Sequence, residues 1–276
     1  MATVKVLVAG VNGRMGRASL HAIAQEPDIK LVGAFGRPDA TYAGKDVAEL
    51  VPLCDSAKTG ILVSNGFLDA LTGETPDVML EFTEAKSALE HAKQALAHGI
   101  RPVIGTSGLN PDGVKELELI AASKKLGALI VPNFSIGAVL MMEFARQAAQ
   151  MFENVEIVEM HHNKKADAPS GTASHTARQI ASSGRAFNAP LVQEKELLQG
   201  ARGGLVEAGV RIHSLRLPGL ISHQEVIFGS DGELLTIKHD SFNASCFTKG
   251  IRLAVKAVMD LDHLVVGLDK VLPGLA

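Results

Sequence analysis

Val4-Lys5-Val6-Leu7-Val8-Ala9-Gly10-Val11-Asn12-Gly13-Arg14-Met15-Gly16 stands almost at the start of a 276-residue chain. Its first six residues are apolar apart from Lys5, the texture of a central parallel strand buried on both faces. The glycine-bearing turn follows without a linker. Met15, Leu20 and Ile23 then fall on helical spacing up to Pro27, and Ile29 to Phe35 reads as a second strand. Strand, glycine turn, helix and strand within about 35 residues form the βαβ setting that a dinucleotide fingerprint requires. Glycines let backbone approach a pyrophosphate, and the N–H groups opening the helix meet its charge. Glycine turns also occur as plain connections, but the position at the head of a βαβ unit favours a nucleotide loop. Gly10, Val11, Asn12, Gly13, Arg14 and Met15 are therefore candidate cofactor contacts. Asn12 stands where GxGxxG has its middle glycine, and asparagine tolerates left-handed backbone better than most residues.

Such folds often place a carboxylate about 20 positions further on, for the ribose hydroxyls. Here the second strand ends Ala34-Phe35-Gly36-Arg37, without one. Arg37 would suit the extra phosphate of NADPH, which predicts a preference for that nucleotide. Asp39 is close, so NADH stays open, and a solvated loop charge is the competing reading of Arg37.

Working outward, Ile61 to Ser64, Asp77 to Phe82, Arg101 to Gly105 and Gly127 to Val131 read as further strands, whereas Tyr42 to Thr59 carries little signal. Helices are expected over Glu84 to His98 and from Pro111 to about Lys125, the latter capped by Asn110. Six short strands alternating with helices predict an α/β fold, a Rossmann-like doubly wound parallel sheet. Ligands sit at the carboxyl ends of such strands. Those ends add Phe82, Gly105, Thr106, Ser107, Pro132, Asn133 and Phe134 to the candidate cofactor contacts.

After Pro132 the texture changes. A long helix is expected over Ile136 to Phe152, with Met141, Met142 and Met151 as core packing. A strand over Val155 to Glu159 leads to a polar segment, then to a helix from about Thr172 to Ala181. Strands at Val210 to Leu217, Gln224 to Phe228 and Leu234 to His239 follow in succession, the last two joined by Ser230-Asp231-Gly232. Successive strands without intervening helices predict a second, α+β domain with a mixed sheet. The expected division is 1–132 for the dinucleotide domain and 133–244 for a second, substrate-binding domain, to which the resemblance given below adds oligomerisation. A C-terminal helical segment within 245–276 rejoins the first domain.

The polar segment, Glu159-Met160-His161-His162-Asn163-Lys164-Lys165-Ala166-Asp167-Ala168-Pro169-Ser170-Gly171-Thr172-Ala173, concentrates positive charge in a chain of net charge −3. Ser170, Gly171 and Thr172 can present N–H and hydroxyl donors at a helix start, as a carboxylate receptor or as an ordinary N-cap. Either His161 or His162 could serve as a general acid or base. Strand alternation turns only one of them to a given pocket. Adjacent histidines lack the i, i+4 spacing of helical metal ligands, and no cysteine lies nearby, so no metal is expected.

Composition narrows the class. With 46% hydrophobic residues and no apolar run of the ~18 residues that span a bilayer, the chain reads as a soluble, cytoplasmic protein without a membrane partner. Strand pattern from Val4 leaves no room for a leader. Net charge −3, no Trp and the single Tyr42 argue against nucleic acid. Cys54 and Cys246 read as buried thiols.

These motifs together resemble the dihydrodipicolinate reductase (4-hydroxy-tetrahydrodipicolinate reductase) family. The match rests on Gly10–Gly16, on Gly105-Thr106-Ser107-Gly108 with Asn133-Phe134-Ser135, and on the Glu159–Ala173 signature. The resemblance implies hydride transfer from NADPH or NADH to a cyclic unsaturated dicarboxylate with loss of water, in lysine biosynthesis through diaminopimelate. It implies His161 as proton donor/acceptor and Lys165 as a further proton donor. His162 and the donors of Ser170-Gly171-Thr172 would bind the substrate. A homotetramer with a hinge between its domains is also implied. Two departures stand out. Many members carry an acidic residue where Gly36 stands, and many have an arginine that is missing from Asn243-Ala244-Ser245-Cys246-Phe247. Another two-domain reductase of a small dicarboxylate, or a catalytically silent nucleotide sensor, are the alternatives.

Overall fold

The computed structural model describes residues 3–51 and 58–275. The chain divides into two compact units. The first runs to Ile136 and takes back the chain from Ser245, and the second is Gly137–Ala244.

In the first unit, strands β1 (Val4–Ala9), β2 (Ile29–Phe35), β3 (Val63–Ser64), β4 (Val78–Glu81), β5 (Arg101–Ile104) and β6 (Ala128–Ile130) are joined by helices α1 (Arg14–Ala24), α2 (Val47–Leu50), α3 (Ala85–Ala97) and α4 (Pro111–Lys124). A seventh strand, β12 (Leu264–Val266), arrives from the end of the chain, giving the order β12-β6-β5-β4-β1-β2-β3, parallel throughout. Six strands were expected, and the edge strand Leu264-Val265-Val266 is too short to announce itself by pattern. The central strands are apolar because both faces are covered. Val6, Leu7, Val8 and Ala9 are buried, as are Val78, Met79 and Leu80. Local chemistry ends the helices where expected. Asn110 accepts from Asp112 N–H at 2.9 Å ahead of Pro111, and Gly99 closes α3 at φ +76°.

The weakly patterned stretch after β2 is held by one buried carboxylate. Asp46 accepts from the N–H of Ala48 (2.8 Å), Thr59 (3.1 Å) and Gly60 (2.8 Å), and from the Thr59 hydroxyl (2.7 Å). Burial alone would raise its pKa, but these four donors outweigh it and hold the carboxyl at about 2.

The returning segment contains more than a helix. α7 (Thr248–Ala257) packs on α1, and β12 and short 3₁₀ turns follow it. Arg252 and Lys256 pair with Glu26 at 3.1 and 3.0 Å. A Cβ on Gly250 would lie 1.9 Å from the Phe134 carbonyl oxygen, so only glycine lets α7 pass this close to the segment after β6. Cys246 is half-buried, not buried as expected, because it sits in the one-turn 3₁₀ element ahead of α7, not on a core face. Cys54 lies outside the described residues.

The second unit contains α5 (Ile136–Ala148), which begins at the boundary, then β7 (Asn154–His161), α6 (Gly171–Ala181), β8 (Gly204–Leu205), β9 (Arg211–Arg216), β10 (Ser222–Ser230) and β11 (Glu233–Ser241). Its mixed sheet has the order β11-β10-β7-β9-β8, with β7 and β9 parallel and the other pairs antiparallel. Asp231-Gly232 turns the long β10–β11 hairpin, Gly232 at φ +83°. Both hairpin strands extend beyond the apolar runs expected for them, because backbone pairing continues through Ser222-His223 and Glu233. α5 stops at Ala148, short of the expected Phe152. Met141 and Met142 are buried, but Met151 is 81% exposed in the turn beyond the helix, where helical spacing no longer directs it inward.

Asp46→Asn should lower the thermal midpoint by roughly 5 °C at pH 7, since a neutral amide cannot accept from four donors. The folded pKa lies below the ordinary value of 3.8, so the stabilisation is complete above that value and disappears as pH falls through about 2. Melting curves of native and variant protein should therefore converge between pH 4 and pH 2.

Candidate active site

Two clusters gather the residues singled out in the sequence, one in each unit. In the first, the carboxyl ends of β1, β2, β4, β5 and β6 come together around the point where strand order reverses, between β1 and β4. Gly10 has φ +73°, and a Cβ there would lie 2.9 Å from the Phe82 carbonyl oxygen. A Cβ on Gly16 would stand 2.3 Å from the Gly10 carbonyl oxygen. The left-handed residue of the turn is thus Gly10. Asn12 does not adopt that geometry, and Arg17 fixes it instead, donating to Asn12 O (3.1 Å) and Oδ1 (2.6 Å). Gly13 begins α1 with no side-chain cap and no acidic residue in the first turn. An uncapped helix start behind a bare glycine turn fits a pyrophosphate, so the loop suits a dinucleotide.

Around that loop, Thr106 Oγ1 donates to Thr83 O at 3.0 Å, and Asn133 Oδ1 accepts from Ser135 N–H at 2.8 Å. The Phe82 and Phe134 rings meet edge to face at 5.7 Å. They close over Gly105, where a Cβ would touch both at 2.5 and 2.7 Å. Ser107 and Pro132 are exposed at the strand ends, as are Arg14 and Arg37, while Val11 is buried. Glu81 beneath them is fully buried. It accepts from Thr83 N–H (2.6 Å) and pairs with His91 (2.8 Å), fixing the Phe82–Thr83 turn. Sequence reading assigned Glu81 no role.

The second cluster is created by strand alternation and register. Glu159 and His161 are two residues apart on β7 and so share a face. On that face His161 pairs in register with Arg216 of β9 and with Ser222 of β10, and Glu159 with Ser214. Glu159 is completely buried, and its carboxylate is saturated. Arg216 donates to both of its oxygens (2.7 and 3.0 Å), His161 Nδ1 to Oε2 (2.5 Å) and Ser170 N–H to Oε1 (3.2 Å). Burial would raise the Glu159 pKa, but Arg216, Ser214 and His161 together bring it below the ordinary value. Since an ionised carboxylate only accepts, His161 carries its proton on Nδ1, and Nε2 accepts from the Ser222 hydroxyl at 3.1 Å. Burial lowers the His161 pKa below its ordinary value. Glu159 opposes that shift, while Lys165 and Arg216 add to it.

Lys165 donates to both oxygens of Asp167, at 2.7 and 2.8 Å. Arg216 also donates to Asp167 O (2.8 Å), tying this loop to the Glu159 group. Ser170 caps α6, its Oγ accepting from Ala173 N–H at 3.1 Å. The next helical N–H groups, of Gly171 and Thr172, have no partner within a helix. No atom lies within 4 Å of the side-chain position on Gly171, which leaves space for an anion. Below them, Thr176 donates to Thr172 O (2.9 Å) and receives Gln224 Nε2 (2.8 Å), anchoring the helix start to β10. His162 lies beyond the end of β7, with Nδ1 buried and unpartnered, and Lys164 is exposed. Arg216, Ser222 and Gln224 were missed in the sequence, where nothing connects them to His161 before the register is known.

A cavity of about 590 Å³ lies against the opposite face of this sheet, beside Val158, Asn188, Arg202 and His213. Its charges are already paired, Arg202 and His213 both with Glu156 at 2.8 and 2.7 Å. No group of three or more His, Cys, Asp or Glu that could hold a metal occurs among the described residues.

Glu159→Gln removes the one anion that raises the His161 pKa. The His161 ring should then titrate at a lower pH than in the native protein, which an NMR titration of the imidazole resonances would measure. An unchanged midpoint would show that Glu159 does not act on His161.

Comparison with known proteins matches both units of the chain. Residues 4–134 match the family model described as dihydrodipicolinate reductase, N-terminus, and residues 137–272 the one described as dihydrodipicolinate reductase, C-terminus. Proteins named 4-hydroxy-tetrahydrodipicolinate reductase from Cyanothece sp. and Nostoc sp. are 45% and 46% identical over 271 and 275 residues. Those matches cover 98% of this chain and 98% and 99% of the relatives. The solved structure of a dipicolinate-bound dihydrodipicolinate reductase from Paenisporosarcina sp. TG-14 superposes with a TM-score of 0.87 at 38% identity, over 98% of this chain and 100% of that one. A seven-stranded parallel nucleotide fold, a mixed-sheet second unit and full-length similarity place the chain in the dihydrodipicolinate reductase family, whose members are NAD(P)H-dependent oxidoreductases.

Proposed function

We propose that this protein reduces (2S,4S)-4-hydroxy-2,3,4,5-tetrahydrodipicolinate to tetrahydrodipicolinate with loss of water, the reductase step of lysine biosynthesis through diaminopimelate. The observation that carries the reading is the buried Glu159–His161–Ser222 chain on the same sheet face as Arg216, which is tied through Ser170 to the open start of α6. In this reading Gly10, Val11, Asn12, Gly13, Arg14 and Met15 hold the pyrophosphate, and Phe82, Gly105, Thr106, Ser107, Pro132, Asn133 and Phe134 line the nicotinamide side. NADPH is the preferred nucleotide, with Arg37 at its 2′-phosphate, since β2 is followed by Gly36 without a carboxylate. The bound nicotinamide supplies hydride. One hydride and one proton enter the substrate and one water leaves.

The chain's own groups bind the dicarboxylate and manage the proton. The N–H groups of Gly171 and Thr172, with the Ser170 hydroxyl, hold one carboxylate at the positive end of α6. His162 Nδ1, buried and unpartnered, is a second contact. His161 exchanges its proton at Nε2, while Nδ1 stays bound to Glu159, whose carboxylate stabilises the imidazolium when it forms. Lys165, steered by Asp167, is the further proton donor. A homotetramer in the cytoplasm completes the proposal. In its favour, the outer face of the mixed sheet exposes Leu205, Leu215 and Leu234, an apolar surface suited to a second copy. No helix among the described residues is long and apolar enough to cross a membrane.

Assay of the purified protein against this substrate and other small cyclic and linear dicarboxylates, with NADPH and with NADH, tests the reading. Oxidation of nucleotide is expected with hydroxy-tetrahydrodipicolinate, faster with NADPH, and its absence would remove the assignment. His161→Ala and Lys165→Ala should each lower kcat by ~100-fold or more. Near-normal turnover in both would refute their acid/base roles.

A further inference from the structure

Gly36 lies one residue beyond β2, where dinucleotide folds carry the side chain that faces the adenosine ribose. Space there is already taken. A Cβ on Gly36 would lie 2.5 Å from Cε2 and 2.7 Å from the hydroxyl oxygen of Tyr42, the single tyrosine of the chain. The backbone that carries Tyr42 is held. Gly44 N–H donates to Val63 O (2.8 Å), Val63 N–H to Lys45 O (2.9 Å) and Val47 N–H to Ile61 O (2.9 Å). The Asp46 carboxylate ties the same segment to Thr59 and Gly60. Gly36 is tethered to the same short strand, its N–H donating to Ser64 O at 3.2 Å. Residues 36 and 42 are thus pinned to β3 from two sides, and the ring can yield only by leaving its rotamer.

We propose that Tyr42 is a specificity-determining residue. Its ring occupies the place of a ribose-binding carboxylate, so an acidic side chain at position 36 requires either a smaller residue at 42 or a Tyr42 ring driven out of its rotamer. With that place closed, the 2′-hydroxyl of NADH finds no carboxylate partner, and the choice of nucleotide passes to the exposed Arg37 beside it. This inference rests on the first unit being the nicotinamide-nucleotide unit. It concerns exclusion, a repulsive element built against one ligand, and not a new attractive contact.

Dissociation constants for NADPH and NADH, measured by calorimetry on the full-length chain, test it in native protein, Gly36→Asp, Tyr42→Ala and the double variant. Gly36→Asp alone should lower the thermal midpoint and weaken both nucleotides. Adding Tyr42→Ala should restore the midpoint and shift the NADH-to-NADPH affinity ratio toward NADH by ~10-fold or more relative to native. A smaller probe guards against misfolding. Gly36→Ala should lower the midpoint when Tyr42 is present and leave it unchanged beside Tyr42→Ala, a coupling that a double-mutant cycle isolates. The proposal is overturned if Gly36→Asp alone shifts the ratio as far as the double variant does. It is equally overturned if the double variant keeps the native ratio, or if the Gly36→Ala effect is the same in both backgrounds. Native protein that binds neither nucleotide would instead remove the nucleotide-unit reading, and this inference with it.

Discussion

A carboxylate shut away from water must find donors for both oxygens or remain protonated. Glu159 meets that demand with Arg216, His161, Ser214 and the N–H of Ser170, and the geometry of the second unit follows from it. The donors come from β7, β9 and the start of α6, so saturating one carboxylate fixes two strands and a helix relative to each other. The same saturation sets the tautomer of His161 and leaves Nε2 as its exchangeable position. Under the proposed mechanism, a stability requirement and a catalytic requirement are met by one set of hydrogen bonds.

The first unit obeys a different constraint, close approach of backbone. Gly10, Gly16, Gly105 and Gly250 each stand where a Cβ would come within 3 Å of another part of the unit. Those contacts bring the turns after β1, β4, β5 and β6 together at the reversal of strand order, and α7 against the last of them. Buried Glu81 and His91 then brace the Phe82–Thr83 turn from below, a smaller version of the arrangement around Glu159.

Much of this was legible in residue order. Val4–Phe35 spells out a βαβ unit because strand, turn and helix are each local, and the Glu159–Ala173 signature keeps His161, Lys165 and Ser170 within one short segment. Elements at sheet edges were less legible. β8 and β12 are two or three residues long, and they exist because a neighbouring strand offers a partner, not because their own pattern insists. Arg216 and Ser222 lie far from His161 in sequence and meet it only through register. Glu159 was visible in the motif, yet its burial, the property that gives it a role, is a tertiary fact. Met151 shows the opposite error, since periodicity extended past the last helical turn predicts a core residue where the chain has already left the helix.

The return of the chain to the first unit has a consequence for biosynthesis. During vectorial synthesis, β1 to β6 emerge from the ribosome before any residue of the second unit, yet the edge of β6 has no neighbour until Leu264–Val266 is made. The nascent sheet therefore waits, with backbone groups of β6 unpaired and α1 uncovered, while more than a hundred further residues are added. Such an edge is a template for wrong pairing. That edge stays open until Leu264–Val266 is made, so a segment synthesised after the whole second unit closes the sheet that was begun first.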